Sequence, residues 1–207
     1  MSNNWREIRG KNKEGYPDPT ATTALANIAR EERRQRGRQS KLEGGYFEEL
    51  IQTSLDWYHD KGVAYVEKTP EPMRPLSPPN ERGQFKACYI KAGQPDFKGT
   101  LTGGRAVVFE AKHTSDDKIE YSRLTAEQVQ SLTDHDALGA AAYVLVSFKL
   151  QNFYRIPWSV WRDMKQLYGR KYVKESELSK YKVKFIAGVL KLLEGIETTL
   201  EEMEAKK

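Results

Sequence analysis

Residues 94 to 114, QPDFKGTLTGGRAVVFEAKHT, restrict the possible folds of this chain more than any other stretch. Val107, Val108 and Phe109 have the β-branched and aromatic character of a buried strand, while Glu110 and Lys112 interrupt it and Asp96 stands ahead of the turn. Burying three ionisable groups around one hairpin is costly unless they are paired or bind an ion. Side chains alternate along a strand, so Glu110 and Lys112 project from one face and Phe109 and Ala111 from the other. Whether Asp96 joins the first pair depends on register. Opposed residues of an antiparallel hairpin keep a constant index sum and share a face. A two-residue loop at Gly103-Gly104 gives a sum of 207 and sets Asp96 opposite Ala111. A three-residue loop, Thr102-Gly103-Gly104, gives 206 and sets Asp96 opposite Glu110. The three-residue loop, or a bulge at Gly99 with the same effect, is therefore expected.

Opposed residues have Cβ atoms within about 5.5 Å. Two carboxylates that close repel, and a divalent cation between them relieves the conflict. Oxygen ligands with open positions suit Mg²⁺, or Mn²⁺. Lys112 on the same face is placed to stabilise charge developing on a phosphate. A cross-strand acid–lysine pair at a sheet edge is the plainer reading, and the apolar surround of Val107 to Phe109 weighs against it.

The rest of the chain reads as a mixed α/β domain with appendages. At 207 residues it has room for one enzyme-sized core. The longest apolar stretch, 137 to 148, falls short of the about 20 residues a membrane span needs, and mean hydropathy is −0.75. Cys88 is the sole cysteine, which fits a reducing, cytoplasmic setting. No GK[ST] phosphate loop is present, so no nucleotide cofactor is expected.

The net charge of +5 is concentrated. Residues 1 to 42 hold ten Lys and Arg against five Asp and Glu, and the remainder holds 24 of each sign. The segment REERRQRGRQSK, with Arg33, Arg34, Arg36 and Arg38, suits contact with a phosphate backbone. A basic, partly disordered arm is expected over 1–43. A helix is expected within it from Thr20 to about Arg36, ended by Gly37 and Gly44-Gly45. A second helix is expected from Tyr46 to about Lys61, with Glu48 bordering its apolar stripe and Glu49 on its polar face. Five of the nine prolines fall in residues 70 to 79 and mark an extended projection at about 70–86, carrying Arg74 and Arg82. Thr125 and Gln128 form a capping box ahead of a helix, with Leu124 and Val129 as its staple. The run 141 to 148 reads as a strand covered on both faces. His113 reads as a rim residue. The segment 171–207 is expected to be helical, with Ile186, Val189, Leu190, Leu193, Ile196 and Leu200 as its stripe.

Pro95-Asp96 followed by Glu110-Ala111-Lys112 matches the PD-(D/E)xK nuclease pattern. From about Gly44 to Trp161 the chain resembles the RecU family of Holliday junction resolvases. The likeness is carried by GGYFEELIQTSLDWYHDKGVAYVEKTPEP, PDFKGTLTGGRAVVFEAKHT and EQVQSLTDHDALGAAAYVLVSF. It implies a restriction-endonuclease-like mixed central sheet flanked by helices, with a projecting stalk, in a nuclease core over 44–170. It further implies a homodimeric, Mg²⁺-dependent endonuclease that cuts branched DNA at four-way junctions in recombination and repair. By matching position, Asp96, Glu110, Lys112 and Gln128 are the catalytic set, and Asp96, Glu110 and Glu48 the metal ligands. The AGQP before Asp96 and the His113 after Lys112 depart from the family pattern. Two other readings share the residues: a nuclease or nickase acting on other DNA structures, and a non-catalytic DNA-binding module.

Overall fold

The computed structural model describes residues 19–90 and 94–196. The chain divides into two compact units, Met1–Leu42 and Glu43–Lys207. Residues 1–18 of the expected arm lie outside the described residues, as do 197–207.

The structure corrects the expected break between two helices. Helix α1 runs over Pro19–Asp60, straight through Gly37, Gly44 and Gly45. A helical glycine costs only about 1 kcal/mol relative to alanine, and a chain rich in Arg, Glu and Gln carries that cost. Apart from the helix's own nearby backbone, nothing lies within 4 Å of where a Cβ would sit on any of the three glycines, so no close approach requires them.

The second unit is built on a six-stranded mixed sheet. Its strands are β1 (Ala64–Lys68), β4 (Phe97–Leu101), β5 (Ala106–Thr114), β7 (Ala141–Phe148), β8 (Asn152–Pro157) and β10 (Lys182–Val183), side by side in that order. Only β5 and β7 run parallel, joined by helix α2 (Ala126–Ala137). A parallel pair needs such a crossover. Between β1 and β4 the chain leaves the sheet as a separate ribbon, β2 (Met73–Pro75) paired with β3 (Ala87–Tyr89). This ribbon is the expected stalk. The Asn80 side chain organises its tip, accepting from the backbone N–H of Arg82 and of Gln84.

The second half of α1 covers one face of the sheet. Phe47, Ile51, Leu55 and Tyr58 pack against Phe97, Leu101, Phe109, Tyr143 and Phe153. Phe97, Phe109 and Tyr143 stack across three neighbouring strands at 4.8 Å centroid spacing, each pair adding about 0.5–1.5 kcal/mol beyond burial. The opposite face carries Val108, Val144, Val146 and Ile156. It is covered by α2, by α3 (Trp158–Arg162) and by α4 (Met164–Tyr168). Every residue of β7 is buried, as its nearly continuous apolar run predicts.

The expected C-terminal helix is not formed over the described part of 171–207. Instead β9 (Tyr172–Lys174) pairs with β6 (Lys118–Glu120). After β10 comes a tight hairpin of β11 (Phe185–Ile186) and β12 (Val189–Leu190). Ala187 and Gly188 sit at its tip with φ of 50° and 81°. A helix cannot pass through two successive left-handed residues, so the periodic stripe is overruled. The stripe's role in closing the core survives. Leu190, Leu192 and Leu193 are fully buried under α1, and their backbone is pinned from above. Ser54 Oγ accepts from Leu190 N at 2.9 Å and the Tyr58 hydroxyl from Leu193 N at 3.2 Å.

Gly99 is required by close approach and not by a bulge, since β4 pairs without interruption to both β1 and β5. A Cβ there would fall 2.5 Å from Val66 Cα and closer still to the Tyr65 carbonyl oxygen. Backbone cannot yield as a flexible side chain does. Gly99→Ala is expected to destabilise the protein by about 3 kcal/mol, read as a fall in the urea midpoint with unchanged slope.

Candidate active site

The hairpin adopts the index sum of 206. Phe97 pairs with Phe109 and Thr100 with Ala106. The loop Thr102-Gly103-Gly104 is closed by hydrogen bonds from Leu101 N to Arg105 O and from Gly104 N to Leu101 O, at 2.8 and 2.9 Å. One step beyond the last pair, Asp96 lies opposite Glu110. Its carbonyl accepts from Thr69 N at 2.8 Å, and its Oδ2 accepts from Ala111 N at 3.0 Å. Asp96 is thereby fixed from the β1 side and the β5 side together.

Three of the four expected catalytic side chains meet at one carboxylate. Glu110 is fully buried. Its Oε2 accepts from Lys112 Nζ at 3.0 Å and from Gln128 Nε2 at 2.6 Å. Lys112 Nζ also stands 3.7 Å from Asp96 Oδ2. The other oxygen of Glu110, Oε1, is buried with no hydrogen-bond partner. Burial pushes the Glu110 carboxyl up to about 8; the Lys112 ammonium opposes the shift and the Asp96 charge adds to it. The site is closed at Glu110 and open at Asp96, whose side chain is 34% exposed.

Gln128 does two jobs with one amide. Its Oε1 accepts from Thr125 N and its backbone N–H donates to Thr125 Oγ1, completing the capping box of α2. Its Nε2 is left over for Glu110. The helix cap thus orients the amide that holds the carboxylate.

Glu48 is half-buried and Glu49 exposed, as the helix periodicity predicts. Glu48 does not join the other two carboxylates here. It pairs with Lys68 Nζ at 2.6 Å, and among the described residues no three His, Cys, Asp or Glu side chains gather as a metal-binding group. Lys68, on the last position of β1, has its pKa raised first by that Glu48 hydrogen bond, with the Asp96 charge contributing. Its proximity to the site had no sequence signal beyond strand position. The arm arginines lie in the first unit, on the exposed surface of α1. Arg34 and Arg38 are bridged to Glu31 and Arg36 to Glu32. Such exposed pairs are worth little and leave the charges available. Arg74 and Arg82 are exposed on the ribbon.

His113 is not a rim residue. It is buried, with Nε2 at 2.9 Å from Glu43 Oε2 and Nδ1 at 3.3 Å from Ser147 Oγ. Ser115 Oγ donates to the same Glu43 oxygen at 2.7 Å. The contact fastens the start of the second unit to the strand that carries Glu110 and Lys112. Seventy residues separate Glu43 from His113, and no local pattern announces the pair.

The recombination protein U family profile matches residues 42–198, and the chain belongs to that family. Among curated relatives, the Holliday junction resolvase RecU of Streptococcus gordonii is 27% identical over 120 residues, 55% of this chain and 60% of that one. The protein of the same name from Lactococcus lactis subsp. lactis is 27% identical over 122 residues, 56% of this chain and 57% of that one. The matched region therefore spans about 60% of these relatives' length. Among solved structures, the Holliday junction resolvase Hjc of Archaeoglobus fulgidus is similar over 62% of this chain and 88% of its own, at 18% identity and a TM-score of 0.38. No described helix is long and apolar enough to cross a membrane.

The raised Glu110 pKa has a stability consequence with a definite sign. Between the ordinary value of 4.5 and about 8, the folded state holds a proton that the unfolded state has released. Stability therefore falls as pH rises through that window. Glu110→Gln removes the titration. The variant is expected to match the parent near pH 4.5 and to exceed it above pH 8 by on the order of 5 kcal/mol, measured by urea unfolding without divalent cation. Equal stabilities at high pH would show that Glu110 is not held in this apolar setting.

Proposed function

We propose that this protein is a divalent-cation-dependent DNA endonuclease that resolves four-way junctions by phosphodiester hydrolysis, in recombination and repair. The observation that carries the reading is the hairpin register, which sets Asp96 against Glu110 with Lys112 within 3.0 Å of one carboxylate and 3.7 Å of the other. Family membership and likeness to Holliday junction resolvases support the substrate.

The donor set fits Mg²⁺ or Mn²⁺. Both carboxylates are oxygen ligands, and the unpartnered Oε1 of Glu110 is a buried acceptor awaiting a positive charge. Asp96 and Glu110 would hold the ion, which when bound polarises a phosphoryl oxygen and acidifies water. The other tasks fall to this chain's own groups. The Ala111 N–H holds Asp96 in place. Gln128 and Lys112 together occupy Oε2 of Glu110, so the carboxylate cannot rotate away and Oε1 stays presented. Lys112 is the ammonium beside both carboxylates and offers its charge to a phosphate entering from the exposed Asp96 side. Glu110 must lose its proton to act as an anion. Cation affinity should therefore rise with pH up to about 8 and proton release should accompany binding.

A homodimer in the cytoplasm would present two equivalent sites to the two opposed strands of a junction. The arm arginines and the ribbon's Arg74 and Arg82 would hold the branched DNA by its phosphates, with little base readout. Labelled four-way, flap and linear DNA with and without Mg²⁺ test the proposal together. Cleavage of the four-way substrate in Mg²⁺ is expected, and Asp96→Asn should lower it by about a hundredfold or more while binding persists. Replacing residues 76–86 of the ribbon with a short turn should weaken junction binding far more than duplex binding. Preferred cutting of flap or linear DNA would instead assign the site to another DNA structure. Binding without any cleavage would assign a non-catalytic module.

A further inference from the structure

The body of the protein is neutral in sum but not in distribution. Residues 178 to 191 hold four lysines and no acidic residue. Lys180 lies in the turn before β10, Lys182 in β10, Lys184 in the link to β11 and Lys191 just past β12. The fold brings all four, together with Arg155 of β8, around one cavity of about 240 Å³.

The one acid in the lining is Glu194, and Lys184 already neutralises it at 2.6 Å. Arg155 spends one guanidinium nitrogen on the carbonyls of Leu192 and Glu194, at 2.9 Å each. This fixes the cavity wall without cancelling the positive charge. Lys191 lies over the Trp57 ring at 3.4 Å and Lys180 over the Tyr181 ring at 4.8 Å, contacts that orient ammonium groups and leave their charge intact. Lys182 makes no ion pair with any described residue. Edge strands commonly carry a lysine to block pairing with other chains, and β10 is an edge. That accounts for Lys182 alone. It does not account for Lys180, Lys184, Lys191 and Arg155 lining the same cavity, where like charges repel one another unless an anion enters.

We infer that this cavity is a second nucleic-acid contact, a seat for backbone phosphate apart from the cleavage site. The inference rests on the reading of the protein as DNA-binding and extends it to a surface with no part in the chemistry. The register gives the separation. Lys112 pairs with Val146, Val146 with Tyr154 and Tyr154 with Lys182. Three strand spacings of about 4.8 Å place the two rows roughly 14 Å apart, about four base-pair steps of a duplex at 3.4 Å. A duplex arm engaged at Asp96 is long enough to reach the edge cavity. Phe185 and Ile186, each 52% exposed on the adjoining hairpin, add apolar surface beside the cations.

The test is junction binding by fluorescence anisotropy, without divalent cation, over a salt series. It compares the parent with Lys180→Ala/Lys182→Ala and with a charge-matched control, Lys61→Ala/Lys165→Ala. The log–log salt slope of the first variant should be shallower by about 2 and its affinity lower, with the control and all thermal midpoints unchanged. An unchanged slope overturns the inference. So does an equal loss in the control, which would mark bulk charge only. Inorganic phosphate and anionic phospholipid vesicles serve as further probes. If either binds through Lys180 and Lys182 while the DNA slope stays fixed, the cavity serves another phosphate source and the inference fails. The readout needs no cleavage, so a parent that binds with the predicted slopes but cuts nothing would sink the nuclease reading and leave this one standing.

Discussion

Because side chains alternate along a strand, the three residues Thr102, Gly103 and Gly104 decide which charged groups of this sheet share a face. Shortening the loop by one residue would carry Asp96 to the α1 side, among Phe47, Ile51 and Leu55. With the loop as it is, Asp96, Glu110 and Lys112 gather on one face and Phe97, Phe109 and Tyr143 stack on the other. The two outcomes come from one constraint. The aromatic stack that stabilises the sheet can exist only in the register that assembles the acidic pair, so core packing and site geometry reinforce each other.

Within that register the costs are unevenly placed. Asp96 keeps access to solvent and takes a backbone N–H. Glu110 has no exposure and one oxygen without a partner. A buried acceptor left open is unfavourable, and Gln128 and Lys112 offset that only on the other oxygen. The capping box makes this arrangement rigid. Gln128 cannot turn toward Oε1 without releasing Thr125 N and fraying the first turn of α2. The helix start therefore enforces the asymmetry at the carboxylate.

The parts of the fold legible in the sequence are those whose determinants lie close together along the chain. The hairpin register followed from a count across a short loop, the α2 cap from residues three apart, and β7 from one nearly continuous apolar run. The errors have equally local causes. Gly37, Gly44 and Gly45 looked like stops, yet glycine only weakens a helix whose other residues favour it. The C-terminal stripe had helical spacing, yet Gly188 at its middle admits a left-handed turn and two strands formed instead. At the site, Asp96, Glu110, Lys112 and Gln128 were legible because strand and cap geometry orders them. Glu43 with His113, and Lys68 with Glu48, were not, since each contact is made across the fold with nothing in the intervening residues to mark it.

Lys68 changes how Glu48 should be understood. A carboxylate paired at 2.6 Å with an ammonium is already neutralised, so recruiting it to a cation would require breaking that pair. Asp96 and Glu110 instead share one ammonium, Lys112, at 3.7 and 3.0 Å, which leaves two carboxylates against a single positive charge. Lys68 also feels the Asp96 charge, so the Glu48–Lys68 pair stands beside the open side of the site. Glu48 and Lys68 thus form a neutral pair at the border of the Asp96–Glu110 site. The pair also ties the acidic helix residue to the site through a lysine, so that α1 contributes alignment there without adding a third negative charge.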